Sequence, residues 1–497
     1  MTQTPTRFIL GPFNRVEGDL EVQIEVADGV VLEARVNAPM YRGFEVMLIG
    51  RDPIDALTIA PRICGICSVS QSVAAARALA DASGVEAPRN GLLVTNLMLA
   101  CENLADHLTH FYIFFMPDFT HQAYAGRGWY REARRRFAAV AGSAAGDGLH
   151  NRAALAARVR WLELMGALGG KWPHTGALLP GGTSRAIESN EQVRLLARMR
   201  EMRTFLEQTL FGATLEEIVA LDSMEALRAW RARASGSDAA MFLEIADEAG
   251  LASLGRGPER YLSYGAYAQP DGGHAVARGV WDAGLQQRLP LDATQIAEDM
   301  RHAWYTEREG GQALHPMDGM TQPHPEKPGA YTWNKAPRLA GQVVETGALA
   351  RQLVDGHPLI RAAASLHGGT VCTRVLARLL EIARILPMME RWLMEIRPHE
   401  AFHQVQALPA QAQGIGLTEA ARGALGHWLR IEHGRIAHYQ IVAPTSWNFS
   451  PRDAAGIPGA LEAALVGAPI DAAGRGQSVA VQHIVRSFDP CMVCTVH

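Results

Sequence analysis

Four of the six cysteines stand in two Cys-x-x-Cys pairs at opposite ends of the 497-residue chain. Cys64 and Cys67 lie in Arg62-Ile63-Cys64-Gly65-Ile66-Cys67, and Cys491 and Cys494 in Asp489-Pro490-Cys491-Met492-Val493-Cys494-Thr495-Val496-His497. A thiolate is a soft metal ligand, and this spacing brings two sulfurs close enough to share one metal. One pair alone is open to several readings: a dithiol redox motif, half a zinc site, or two unrelated thiols. Two pairs favour a single four-thiolate site that fastens the C-terminal end into the protein centre. Structural zinc is one such site, although zinc ribbons usually keep their pairs close. Cys101 and Cys372 are isolated and read as small buried hydrophobes.

The elements that must position the first pair are legible. Leu20, Val22, Ile24 and Val26 alternate with polar residues, and Ala27-Asp28-Gly29 turns the chain into Val30 to Val36, which predicts a hairpin with one buried face. After Cys67 the spacing of Val73, Ala76, Leu79 and Ala80 becomes helical and stops at Gly84. The first pair therefore lies at or just before a helix N-terminus, where unpaired amides and the dipole favour thiolate. Further helix-like stretches cover about 91–115, 151–168, 188–210, 215–232, 345–356 and 371–396. Residues 233–340 are rich in Gly, Pro and His, with short strands and long loops, and 440–480 is again punctuated by Gly and Pro. We expect a mainly α fold with β margins (α+β), built on a central bundle of long helices. Residues 1–497 should form one domain, because the site draws on both ends.

Composition narrows the function classes. Apolar residues make up 48%, charged residues 20%, and the net charge is -4, so there is no basic field for nucleic acid. The N-terminal residues lack the pattern of a secretory signal, and no run reaches the roughly eighteen apolar residues of a membrane span. Sparse cysteines rule out a disulfide scaffold and predict reduced thiols in the cytoplasm.

The flanks of the cysteine pairs resemble the N-terminal and C-terminal signatures of nickel-iron hydrogenase large subunits. Arg15-Val16-Glu17-Gly18 is similar to that family's opening Arg-x-x-Gly motif, and Tyr41-Arg42-Gly43-Phe44-Glu45 to its Arg-Gly-x-Glu. The segments Tyr331 to Arg338, Ala421 to Trp428 and Tyr439 to Asn448 match in the same order, so the resemblance spans nearly the whole chain. It implies the hydrogenase large-subunit fold and heterolytic cleavage of H2 at a nickel-iron centre carrying cyanide and carbon monoxide. Maturation proteins must supply those ligands. Cys64 and Cys491 would be terminal nickel ligands, and Cys67 and Cys494 would bridge nickel to iron. Glu45, the carbonyl of Ile441 and the closing His497 would bind a magnesium ion. Arg422 would stand over the open metal face, held by Asp106 and Asp489, and Thr445 would donate to a cyanide. Glu17 would take the proton from the sulfur of Cys491 as a general base. Electrons need an iron-sulfur small subunit, because Cys101 and Cys372 cannot hold a cluster.

Several positions depart from the family's common pattern. Gln71 stands where a His is usual, Asp19 where the opening motif ends in His, and Ala421 where a Pro precedes the arginine. The sequence stops at His497, whereas most catalytic relatives are made with an extension beyond it. Ile66 and Phe114 are larger than the Val and Leu common beside the gas route, although core packing alone accounts for such residues. These features resemble the hydrogen-sensing subgroup, which implies low turnover, oxygen tolerance and signalling to a histidine kinase. The alternatives are an energy-conserving uptake hydrogenase, a structural zinc-binding protein, and a related quinone-reductase subunit, in which the four cysteines need not persist.

Overall fold

The computed structural model of the protein describes residues 5–139, 146–470 and 478–495. The expected hairpin forms between β2 (Glu21–Ala27) and β3 (Val30–Asn37), with Val22, Ile24, Val31, Ala34 and Val36 buried. A strand not anticipated, β1 (Thr6–Leu10), pairs antiparallel with β2. Helix α1 (Ser68–Ser83) begins immediately after Cys67 and ends on Gly84 at φ +72°, a left-handed cap that glycine adopts without strain.

The bundle is made by α2 (Arg89–Thr109), α3 (Leu149–Gly169), α4 (Ser189–Phe205), α5 (Ala348–Asp355) and α6 (Val371–Glu395). Both α3 and α6 pack on α2, and α4 packs on α3 and α6. The mainly α, α+β expectation holds, with local differences. The stretch expected over 215–232 is two helices, Leu215–Val219 and Met224–Arg233, because the hydroxyls of Thr214 and Ser223 each cap a separate N-terminus. The stretch over 345–356 opens with the short strand Glu345–Thr346 before α5. Within the region read as loops and strands, Ser237 caps a helix over Asp238–Glu248.

Two sheets flank the bundle. In one, β4 (Arg260–Ala268), β5 (His274–Asp282), β6 (Gln287–Leu289) and β7 (Glu345–Thr346) stand in the order β7-β4-β5-β6, with β7 parallel to β4. The other is the antiparallel meander β8 (Ala412–Ala420), β9 (Gly423–Glu432) and β10 (Arg435–Val442). The β8-to-β9 turn is Ala421-Arg422. Strand β8 lies directly on α1, where a methyl group at Gly414 or Gly416 would overlap the carbonyl oxygens of Ala78 and Ala74. Small residues on both surfaces thus bring the helix behind Cys67 against the sheet that carries Arg422. The largest apolar cluster fills the bundle, and a separate one made by Phe44, Leu48, Ile63, Leu425, Leu429 and Ile441 encloses the four paired cysteines. Among the described residues no helix is long and apolar enough to cross a membrane.

Candidate metal centre

The two cysteine pairs meet. Sγ of Cys64 lies 3.4 Å from that of Cys491, Cys67 3.3 Å from Cys494, and Cys491 2.9 Å from Cys494. All four sulfurs fall within 4.8 Å of one another, are buried, and form no disulfide. Sulfurs bound about 2.3 Å from shared metals must crowd to this degree. Shared hydrogen bonds, first from Cys491, pull Cys64 well below the ordinary thiol range. The sharing with Cys491 and Cys494 and then burial push Cys67 well up, and burial pushes Cys491 well up. One thiolate therefore forms readily in the tetrad, and further ones need a neighbouring cation. A buried set of soft donors with that demand fits a nickel-iron centre.

The neighbouring segments hold the tetrad in register. Glu17 accepts the Met492 N–H at its carbonyl (2.7 Å) and donates its own N–H to Pro490, which ties the half-buried Glu17 beside Cys491. Burial and then the Cys64 charge raise its carboxyl, against the pull of Arg422. Cys491 N–H donates to Thr445 Oγ1 (3.1 Å), at the start of a short helix over Pro444–Asn448. Arg42, which the motifs mark without a role, donates to the carbonyls of Ile63, Arg62 and Val493. It staples the residues that precede Cys64 and Cys494.

Arg422 is buried and donates to Asp106 Oδ2 (2.6 Å), Asp489 Oδ1 (3.0 Å) and the Asp489 carbonyl (3.0 Å). Burial pushes Asp106 up to about 7 against the pull of Arg422. Asp489 stays low despite burial because Arg422 and other cations surround it. Burial disfavours the Arg422 charge, yet Asp106, Asp489, Cys491 and Cys64 together hold it firmly protonated. A fixed cation thus bears on the sulfurs.

Glu45 is buried and accepts from the Ile441 N–H (2.8 Å), Lys335 Nζ (3.3 Å) and the Thr321 hydroxyl. Lys335 also reaches Gln440 Oε1 (2.5 Å) and Glu298 (3.5 Å). The oxygen donors Glu45, Glu298 and Gln440 suit a hard cation, while His497 lies outside the described residues. Ile66 is half-buried against the cluster that encloses the cysteines, and Phe114 is half-buried after α2, its carbonyl accepting from Arg15. Gln71 Oε1 lies 2.8 Å from His427 Nε2, and His427 Nδ1 lies 2.8 Å from the Tyr439 hydroxyl. The amide oxygen can only accept, so His427 carries its proton on Nε2.

The motifs mark Arg42 without a role and point to none of the other groups that fix the frame: Glu102, His107, Arg351, Arg378 and Glu381. Glu102 on α2 takes the Val69 and Ser70 N–H groups of α1 at 2.8 and 3.0 Å. A signal for several of them exists in the spacing of Glu102 and Asp106, and of Arg374, Arg378 and Glu381, along apolar helices.

A family profile described as nickel-dependent hydrogenase matches residues 42–131 and 149–497. The periplasmic [NiFeSe] hydrogenase large subunit of Desulfomicrobium baculatum is 30% identical over 98% of this chain and 94% of that protein. The uptake hydrogenase large subunit of Rubrivivax gelatinosus is 27% identical over 99% of this chain and 95% of its own length. The solved Ni-Fe-Se hydrogenase of Desulfovibrio vulgaris Hildenborough in the reduced state superposes with a TM-score of 0.82 at 30% identity, covering 99% of this chain and all of that one.

Proposed function

The chain belongs to the nickel-dependent hydrogenase family as a large subunit, an oxidoreductase acting on H2, and from this we propose that it oxidises hydrogen and passes the electrons to an iron-sulfur partner subunit. The observation that carries the reading is the buried sulfur tetrad with Arg422 fixed beside it. When bound, the nickel-iron centre with its cyanide and carbon monoxide ligands supplies the heterolytic splitting of H2. Cys64 and Cys491 would hold nickel terminally, and Cys67 and Cys494 would bridge. The mutual approach of all four sulfurs within 4.8 Å supports one shared centre. Arg422 orients the substrate through a charge that cannot be lost. Glu17, tied beside Cys491, accepts a proton and hands it toward the surface. Thr445 spends its oxygen on the Cys491 amide and keeps its O–H to donate. Magnesium would sit at Glu45 and the Ile441 carbonyl, with His497 completing the protein ligands. The whole chain acts as one domain.

Val46, Met47, Ile49 and Ile54 are each 46–48% exposed on the segment leading from Glu45 toward Cys64. This apolar patch beside the metal centre supports docking of the iron-sulfur subunit there. The compartment is not fixed by cysteine usage, since the Desulfomicrobium baculatum relative is named as periplasmic.

Hydrogen uptake is the better supported role, because the Rubrivivax gelatinosus relative and several others are named uptake hydrogenases. Hydrogen sensing is a second reading, favoured by Gln71, whose side chain spends its acceptor on His427 behind Cys67; nothing in the relatives' names supports a kinase partner. The test is metal analysis and infrared spectroscopy of protein matured in its native host. One nickel per large subunit, iron in excess of it from the clusters of the partner, and cyanide and carbonyl bands are expected, and a single zinc without those bands would overturn the reading. Turnover then separates the roles: sustained H2-dependent dye reduction means uptake, and a very slow rate with H2-dependent gene expression means sensing.

A further inference from the structure

Arg422 is gripped twice, and both grips lead to one histidine. From its side chain, Arg422 donates to Asp489 Oδ1, Asp489 Oδ2 accepts from Arg378 NH1 (3.3 Å), and the same nitrogen lies 3.4 Å from His107 Nδ1. From its backbone, the carbonyls of Ala420 and Ala421, just before it in the β8-to-β9 turn, accept from Arg351 at 2.8 and 2.9 Å. Arg351 donates to both oxygens of Glu381, and Glu381 Oε1 lies 3.1 Å from His107 Nε2. The hydrogen bonds close into a ring through the fully buried His107, and Arg351, Glu381 and Arg378 are buried with it.

We propose that His107 is a positioning residue for Arg422, acting through this ring rather than by touching the metal centre. The chemistry fixes its tautomer. Arg378 offers only N–H donors, so Nδ1 must accept, and the proton sits on Nε2, where it donates to the Glu381 carboxylate. A neutral imidazole with an acceptor on one edge and a donor on the other is the group that can join an arginine to a glutamate here. The hold on Arg378 has little to spare: among the described residues its Nε has no hydrogen-bond partner, and its only other bonds are to Asp489 and the Phe488 carbonyl. Asp106, the preceding residue on α2, binds Arg422 directly. Two successive residues of one helix therefore set the arginine, one by contact and one through the ring.

This inference rests on the role given to Arg422 above, and the test separates the two. Three exchanges divide the ring: His107→Asn keeps an acceptor near the Nδ1 position, His107→Gln keeps a donor near Nε2, and His107→Leu keeps neither. In the heterodimeric enzyme His107→Leu and His107→Gln should lower kcat for H2 oxidation by about 10- to 100-fold, the cost expected of an ångström-scale misplacement. KM for H2 should stay within about twofold, nickel and iron content should be retained, and His107→Asn should recover part of kcat. In an Arg422→Lys background the His107→Gln exchange should cost almost nothing further, since both act through one group. Crystal structures of the metal-free chain give a readout independent of activity: the Arg422 guanidinium should shift in His107→Leu. Arg378→Gln cuts the same limb one step nearer Asp489 and serves if His107→Leu does not fold. An unmoved Arg422, or losses that multiply fully with Arg422→Lys, would overturn the proposal. A wild-type enzyme inert toward H2 would instead refute the reading of the site and leave the ring to be judged by the position of Arg422.

Discussion

Glu102 makes the sharpest test of how the cysteine helix is held. Cys67 occupies the N-cap of α1 and makes no side-chain cap bond, so the first amides of the helix lack the usual local acceptor. Glu102 reaches across from α2 and supplies it: Oε2 accepts from Val69 N–H (2.8 Å) and Trp172 Nε1 (3.1 Å), and Oε1 from Ser70 N–H and Oγ, both at 3.0 Å. Glu102→Ala strands two buried amide N–H donors and the N–H of the half-buried Trp172. Each costs about 1–3 kcal/mol unsatisfied, and water entering the vacated space recovers part of that, leaving a loss of about 3 kcal/mol in local stability. Because 1.4 kcal/mol is about tenfold in an equilibrium, the amides of Val69 and Ser70 should exchange hydrogen roughly 100-fold faster in the metal-free protein. Glu102→Gln is not a neutral control, since whichever way the amide turns, its NH2 confronts donors on one side. It should fall between the wild type and Glu102→Ala. Nickel content after maturation should drop in the same order, because Cys67 leads directly into the loosened turn. Exchange at Val69 and Ser70 within twofold of wild type in Glu102→Ala would refute this account of the trans cap.

A second buried carboxylate predicts a pH dependence. Burial pushes Glu462 up to about 7, with Oε1 accepting from Val36 N–H and the Tyr331 hydroxyl and Oε2 without a hydrogen-bond partner among the described residues. The native state keeps a proton that the unfolded chain releases near pH 4.5, so the contribution is fully present below that pH and is lost as pH rises through about 7. Glu462→Gln retains the accepting oxygen and should raise stability above pH 7 by on the order of 1–3 kcal/mol, with little effect near pH 4.5; thermal denaturation at both pH values checks it, and an unchanged difference between them would count against it. For gas access, Ile66→Val combined with Phe114→Leu should speed inactivation of the enzyme by oxygen, and identical inactivation kinetics would remove that role from both residues.

The parts of the fold visible in the sequence are those written in local periodicity. Alternating Val22, Ile24 and Val26, the Gly29 turn and the Gly84 stop all correspond to elements that form. The β8–β10 meander escaped because its strands are buried on both faces along much of their length, so no polar alternation marks them. Its key packing signal is the absence of side chains at Gly414 and Gly416, which becomes informative only when α1 is laid against them. The break near residue 220 is likewise written in Thr214 and Ser223, whose capping oxygens divide what apolar spacing alone joins.

The site divides in the same way. Cysteines are legible because nickel and iron demand soft donors, whatever the fold. The groups that hold the site are not, because a guanidinium or carboxylate that works inside a protein has the same letter as one dissolved at its surface. Spacing still carries a trace of them. Arg374, Arg378 and Glu381 recur at helical intervals on α6, and Glu102, Asn103, Asp106 and His107 on α2 with His110 just beyond its end, and the usual reading of such stripes is a solvated face. All eight are buried, and α2 and α6 pack on each other. A polar stripe costs several kcal/mol to desolvate unless its members pair. Here one pairing joins the two stripes directly, and other members find partners on neighbouring elements: Glu102 on the α1 amides, Asp106 on Arg422 and Arg374 on Glu345. His107 to Glu381 and Arg378 is that pairing in this chain, and its far ends are the side chain and the backbone of Arg422.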